Sequence, residues 1–179
     1  MESSELVERY LILLLGVAKN PIPSDIHLQK EIFILSNFKK VLAEEFNFQK
    51  HYFGPYSQVV EEAVKNPAHF SNAFEFDGKR VFLSENGKKE FGEMVSEFDR
   101  ERDFEITLSS LKLIRNIYDR LTKEELLFLV YETYPEYTEF SSISDKLIKD
   151  ERVRNKLLNS IFSKGLITPE RYAELKNAE

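Results

Sequence analysis

Apolar positions spaced three and four apart open the chain. Leu6, Tyr10, Leu13, Leu14 and Val17 share one face of a helix predicted from Ser4 to Lys19, and Leu11, Ile12 and Leu15 widen the apolar surface almost all round. A helix apolar on nearly every side belongs in the interior. Asn20-Pro21-Ile22-Pro23 breaks it, because proline lacks an amide proton, and Ser24 or Asp25 offers the oxygen that caps a second helix. Leu28, Ile32, Leu35 and Leu42, with Phe33, Phe38 and Val41 beside them, predict that this helix runs to about Glu45. Phe46 to Phe53 alternates apolar and polar residues and is predicted extended, with a sharp turn at Gly54-Pro55. Ser57 then opens a short helix bearing Val59, Val60, Ala63 and Val64, which Asn66-Pro67 stops.

Phe74 to Leu83 is the clearest local pattern, since Asp77-Gly78 permits the positive φ of a tight hairpin turn. Ser84 caps a following helix that holds Phe91, Met94, Val95 and Phe98. From Leu108 onward the pattern is helical throughout. A helix to Leu121 turns Leu111, Ile114, Ile117, Tyr118 and Leu121 inward, and Thr122 with Glu125 forms a capping box for a helix through Leu126, Leu127, Leu129 and Val130. Tyr134-Pro135 ends that helix, and a polar stretch at 141–144 follows. Val153, Leu157, Leu158, Ile161 and Phe162 mark another helix closed by Gly165, with Leu166 folding back and Thr168-Pro169 starting the last one.

The predicted fold is mainly α with a small β-hairpin. Helix, helix, short helix and hairpin follow the order of a winged helix-turn-helix, in which the third helix would enter the major groove. The expected organisation is a winged-helix-like domain over 1–102 and a C-terminal helical bundle over 103–179 packed on it.

With 179 residues, 42% hydrophobic and 31% charged, the chain has the composition of an ordinary globular domain. Phe supplies much of the core bulk, with 15 Phe and no Trp. There is no cysteine, so disulfides and thiolate metal sites are excluded, which fits a reducing compartment. The apolar run Tyr10 to Val17 is far shorter than the roughly 20 residues that span a bilayer. It follows Glu2, Glu5 and Glu8, where a signal peptide would place positive charge. A cytoplasmic protein with no membrane partner is expected.

The net charge of −6 means that any DNA binding needs a local concentration of basic residues. Over 50–92 the basic residues Lys50, Lys65, Lys79, Arg80, Lys88 and Lys89 are balanced by Glu61, Glu62, Glu75, Asp77, Glu85 and Glu90. Glu61 and Glu62 lie on the helix that would read the groove, where they repel phosphates.

Leu28-Gln29-Lys30, Gly54-Pro55-Tyr56-Ser57 and the junction Leu83-Ser84-Glu85-Asn86-Gly87-Lys88-Lys89 carry a resemblance. The chain resembles the Panacea-type winged-helix family, which includes SocA-like antitoxins and YwgA-like proteins, over about 5–100. Tyr134-Pro135-Glu136-Tyr137-Thr138 with Ser141 extends the likeness. It departs from the family pattern at Ser84, where Thr is usual, and at Glu31-Ile32, where two apolar residues are common. The resemblance implies a domain that inhibits or regulates partner proteins. The tail Lys164 to Glu170 looks like a short oligomerisation module, which makes a homodimer one candidate assembly.

The candidate partner-binding residues are Tyr56 and Ser57 at the head of the third helix, and Tyr134 and Tyr137 in an aromatic cluster with Tyr131 and Phe140. The structural alternative for Gly54 to Ser57 is a turn and helix cap, and for the tyrosines it is core filling. Lys79 and Arg80 are the nucleic-acid-binding candidates for the DNA reading. His27, His51 and His69 are too far apart in sequence for a helical or loop metal site, so no metal and no cofactor is expected. The adjacent pairs Glu44-Glu45, Glu61-Glu62 and Glu124-Glu125 point to different sides of a helix and are expected to be solvated, and no phosphate loop or nucleophile motif is present. A non-enzymatic regulatory or interaction module is therefore expected, with a DNA-binding regulator as the alternative. An enzyme whose residues converge only in three dimensions stays open.

Overall fold

A computed structural model describes residues 2–98 and 101–177. It is mainly helical, with two small antiparallel strand pairs among the described residues. The chain divides into two compact units, one of residues 1–48 and 57–119, the other of 49–56 and 120–179.

In the first unit α1 (Ser3–Gly16) is the central rod, as its all-round apolar pattern predicts. Leu11, Ile12 and Leu14 are fully buried, and α1 packs against α3 (Lys40–Phe46), α4 (Gln58–Lys65), β4 (Arg80–Leu83), α5 (Glu85–Phe98) and α6 (Arg102–Tyr118). Glu8 is buried on this rod. Its carboxylate accepts hydrogen bonds from the amides of Ala68 (2.7 Å), His69 (3.0 Å) and Phe70 (2.8 Å), so it caps the loop that follows α4.

Ser24 caps α2 (Asp25–Phe38), accepting from the His27 amide. The helix expected to reach Glu45 breaks instead at Lys39, whose φ of −135° and ψ of 105° are extended, and α3 starts afresh. No proline or glycine marks the break. Lys39 Nζ donates to Thr107 Oγ1 on α6 at 2.7 Å, a partner distant in sequence. The break leaves Phe38 and Val41 exposed, while Leu42 stays buried.

Strands β3 (Phe74–Asp77) and β4 pair antiparallel with Asp77 opposite Arg80. The two-residue loop is Gly78-Lys79, and Gly78, at φ 61°, takes its first position, where a left-handed conformation costs glycine nothing. A bridge between Ile22 and Val81 adds a one-residue rung beyond the hairpin. Ser84 accepts from the Gly87 amide at 3.0 Å and so caps α5.

Helix α6 begins well before Leu108 and groups with the first unit, so the compact units divide elsewhere than at residue 102. The physical reason is Arg115, which is fully buried. It donates to the carbonyls of Leu14 (2.9 Å) and Asn20 (2.6 Å) and to Asp119 (2.9 Å), tying α6 to both ends of the first interhelix turn. Glu31 on α2 lies 3.5 Å from the same guanidinium and is fully buried, and neither of its oxygens accepts a hydrogen bond. Burial pushes the Glu31 carboxyl well above the usual carboxylate range, and the Asp119 charge adds to this while Arg115 opposes it. In its protonated form Glu31 becomes the donor that Asp119 accepts, which resolves its lack of partners.

The second unit pairs β1 (Gln49–His51) with β2 (Gly54–Tyr56) and adds α7 (Lys123–Thr133), a 3-10 turn (Pro135–Thr138), α8 (Ser144–Ile148), α9 (Glu151–Ser163) and α10 (Pro169–Asn177). The turn of this first hairpin is Tyr52-Phe53, so Gly54-Pro55 begins a strand and is not itself the bend that the sequence predicts. Thr122 and Glu125 form the expected capping box. Gly165 donates to Phe162 O and Leu166 to Ile161 O, the paired bonds of a Schellman close, and Thr168 Oγ1 accepts from the Arg171 amide to cap α10. The polar stretch after Phe140 holds the additional short helix α8, too brief for a periodic signature.

Candidate interaction surfaces

In the first unit, the surface that a winged-helix reading assigns to recognition comprises α4 and the β3–β4 hairpin. Val60 and Val64 bury one side of α4 and present Gln58, Glu62 and Lys65 outward. Lys65, the only cation on this helix, bonds Glu61 one turn earlier, and that bond raises its pKa. On the hairpin Arg80 pairs with Asp77 across the turn, while Lys79 is exposed at the tip. Two of these three cations are thus spent on carboxylates of their own element.

Ser57 lies in the interior. Its hydroxyl donates to Phe46 O and accepts from the Val60 amide at 3.1 Å, so the helix cap carries the motif's serine. Its backbone exchanges two bonds with the Gln29 side chain. Of the three resembling motifs, two therefore meet through Gln29 and Ser57, and both residues are committed to structure.

In the second unit the β1–β2 hairpin lies along the 3-10 turn and α7. Tyr52 O accepts from the Ser142 amide at 3.1 Å, and Lys50 pairs with Glu139. Tyr131 is buried, its ring against Gly54 and its hydroxyl 2.7 Å from Ser141 Oγ. Ser141 Oγ in turn accepts from the Ser144 amide at 3.0 Å. Tyr131 is thus a core residue, in line with the core-filling alternative.

Tyr56, Tyr134 and Tyr137 are half-buried in this unit, with the Tyr56 ring stacked on His51 at 4.6 Å between centroids. Burial pushes the Tyr134 and Tyr137 hydroxyls above their ordinary pKa, and the Glu136 carboxylate adds to it, so both stay uncharged near neutrality. The most open aromatic groups here are Tyr52, 64% exposed, and Phe140, 57% exposed. Tyr52 escaped the sequence reading because it sits in a segment read as strand, and only the Tyr52-Phe53 turn turns it outward. Lys123 Nζ stands 3.7 Å from the Phe53 ring centroid, a cation–π contact that covers the neighbouring turn residue.

The three histidines are separately employed. His27 Nδ1 meets Ser24 Oγ at 2.8 Å, His51 stacks on Tyr56, and His69 Nε2 meets Ser4 Oγ at 2.8 Å. Among the described residues no group of three or more His, Asp or Glu could hold a metal ion, and no helix is long and apolar enough to cross a membrane. No family model and no curated protein matches the sequence.

Proposed function

We propose that this chain is a non-catalytic regulatory or protein-interaction module, of the antitoxin-like kind that its resemblance to the Panacea-type family implies. The first unit is its winged-helix-like part. The order of α1, α2 and α4 before the β3–β4 hairpin supports that reading, as does the Ile22–Val81 bridge, which supplies the short third strand of a wing. The observation that carries protein contact over DNA contact is the pairing of Lys65 with Glu61 and of Arg80 with Asp77. Phosphate binding draws on a local excess of cations, and here α4 sets Glu61 and Glu62 against Lys65 while the hairpin sets Glu75 and Asp77 against Lys79 and Arg80, so the surface carries no net positive charge. The segment between α3 and α4 also contains a whole hairpin in place of the three or four residues that set a recognition helix against its partner.

The partner surface in this proposal is the aromatic rim of the second unit, with Tyr52 and Phe140 as open anchors beside Tyr56, Tyr134 and Tyr137. Affinity purification from native cells tests it. A stoichiometric protein held by the natural chain and lost from a Tyr52→Ser/Phe140→Ser variant is expected. No partner at all, or one held equally by the variant, overturns the proposal. Lys79, exposed at the hairpin tip, is what favours the second reading, a DNA-binding regulator. Duplex DNA titrated at low salt is expected to give no saturable binding, and tight binding that weakens steeply with salt would favour the regulator.

A further inference from the structure

A cavity of 350 Å³ opens in the first unit between the end of α1, the segment to Pro21, strand β4 and the first turns of α5. That volume lies at the lower end of small-molecule sites, roughly 300–1,000 Å³. Leu15, Pro21, Phe82 and Phe91 give it apolar walls, two of them aromatic. Among the described residues its charged lining is Lys19 and Lys88 with no carboxylate, although the chain as a whole carries a net charge of −6.

The walls are fixed independently of any ligand. Arg115 holds the carbonyls of Leu14 and Asn20, which anchors the turn behind Lys19. Ile22 and Val81 exchange amide bonds of 2.8 and 3.1 Å, which anchors Pro21 against the strand that carries Phe82. Such a site spends little binding energy on ordering itself. Lys88 reaches Glu85 at 2.5 Å, but both side chains are exposed, and an exposed pair of this kind is weak. A ligand carboxylate can therefore compete for it.

We propose that this cavity binds a small aromatic carboxylate, its ring between Phe82 and Phe91 and its carboxylate toward Lys19 and Lys88. The inference concerns a ligand site in the first unit and stands whether or not the second unit's aromatic rim recruits a protein.

The probe is 2-naphthoate, titrated into the full-length protein and followed by backbone amide NMR shifts, with 2-naphthamide as the uncharged isostere. Saturable shifts centred on Ala18, Lys19, Phe82 and Phe91 are expected, with the amide at least tenfold weaker. A Lys19→Gln/Lys88→Gln variant is expected to lose at least tenfold in affinity for naphthoate at an unchanged melting temperature. Shifts that do not saturate, shifts centred elsewhere, or equal binding of acid and amide overturn the proposal. Equal binding by the double variant overturns the assignment of the anion subsite to these lysines. Because the acid and amide comparison uses the natural sequence, it decides the matter even if the variant misfolds.

Discussion

The side-chain amide of Gln29 exchanges two hydrogen bonds with the backbone of Ser57, Nε2 to the carbonyl at 2.9 Å and the Ser57 amide to Oε1 at 2.8 Å, inside the first unit. A glutamine on one helix thus takes the place of a strand neighbour for the residue that caps another. Both residue types suit these roles: an amide side chain presents donor and acceptor together, and the serine hydroxyl caps α4 by accepting from the Val60 amide while donating to Phe46 O.

Gln29→Leu leaves the buried Ser57 amide without its acceptor, because leucine fills the space but returns neither bond. A loss of roughly 1–3 kcal/mol is expected from stranding a buried polar group. Urea denaturation followed by circular dichroism reads it, and an unchanged midpoint would mean that the amide pair contributes nothing net.

The Glu31 carboxyl is held above the carboxylate range mainly by burial, so the folded state binds its proton more tightly than the unfolded chain does. The sign follows. This contribution is complete below the unfolded pKa and declines as pH rises through the folded pKa. Glu31→Gln keeps the neutral, donating form at every pH. The variant's melting temperature should rise relative to the natural protein between pH 4 and pH 8, and a gap that narrows with rising pH would refute the account.

Arg115→Met removes the cation while Asp119 and Glu31 remain. Breaking a buried ion pair on one side costs about 3–5 kcal/mol. The first unit should lose cooperative thermal unfolding, while Arg115→Met combined with Glu31→Gln and Asp119→Leu should recover part of the stability. No recovery in the triple variant would show that Arg115 acts through its bonds to the Leu14 and Asn20 carbonyls and its packing, not through its pairing with the carboxyl groups.

Gly87→Ala should destabilise, against the propensity scale. In a helix interior, alanine is favoured over glycine by about 1 kcal/mol. A Cβ at Gly87, however, would lie 2.2 Å from the Ala73 carbonyl oxygen, and backbone cannot yield as a flexible side chain can. Overpacking of this kind costs roughly 1–3 kcal/mol. A higher melting temperature for the variant would contradict the close approach of α5 to the segment before β3.

What could be read from the sequence was local. The Thr122 and Glu125 capping box, the Ser57 cap, the Gly165 close and the Asp-Gly hairpin each depend on residues within a turn of one another, and each formed where its pattern stood. The buried rod α1 was equally plain, since its pattern left no polar side. What escaped depends on partners far along the chain. Arg115 finds the Leu14 carbonyl 101 residues away, and Lys39 breaks a helix to reach Thr107 across 68. Glu8, in the sequence only an acidic residue beside the apolar run, is a buried cap for a loop 60 residues on. Gly54-Pro55 predicts a bend after an extended segment, whereas the bend lies two residues earlier at Tyr52-Phe53 and turns Tyr52 outward. For the candidate surface, tyrosine enrichment showed the neighbourhood, but exposure is set by tertiary packing and has no periodic trace.

Residues 49–56 leave the first unit after Phe48 and belong to a unit whose remainder starts at Arg120. A two-stranded ribbon is marginal by itself in water. During synthesis these eight residues emerge from the ribosome long before their companions and wait unsupported until α7 follows. A fragment ending at residue 119 would carry an orphaned ribbon, and one starting at 120 would lack a wall of its own core, so neither half is a module that a gene fusion could transplant intact.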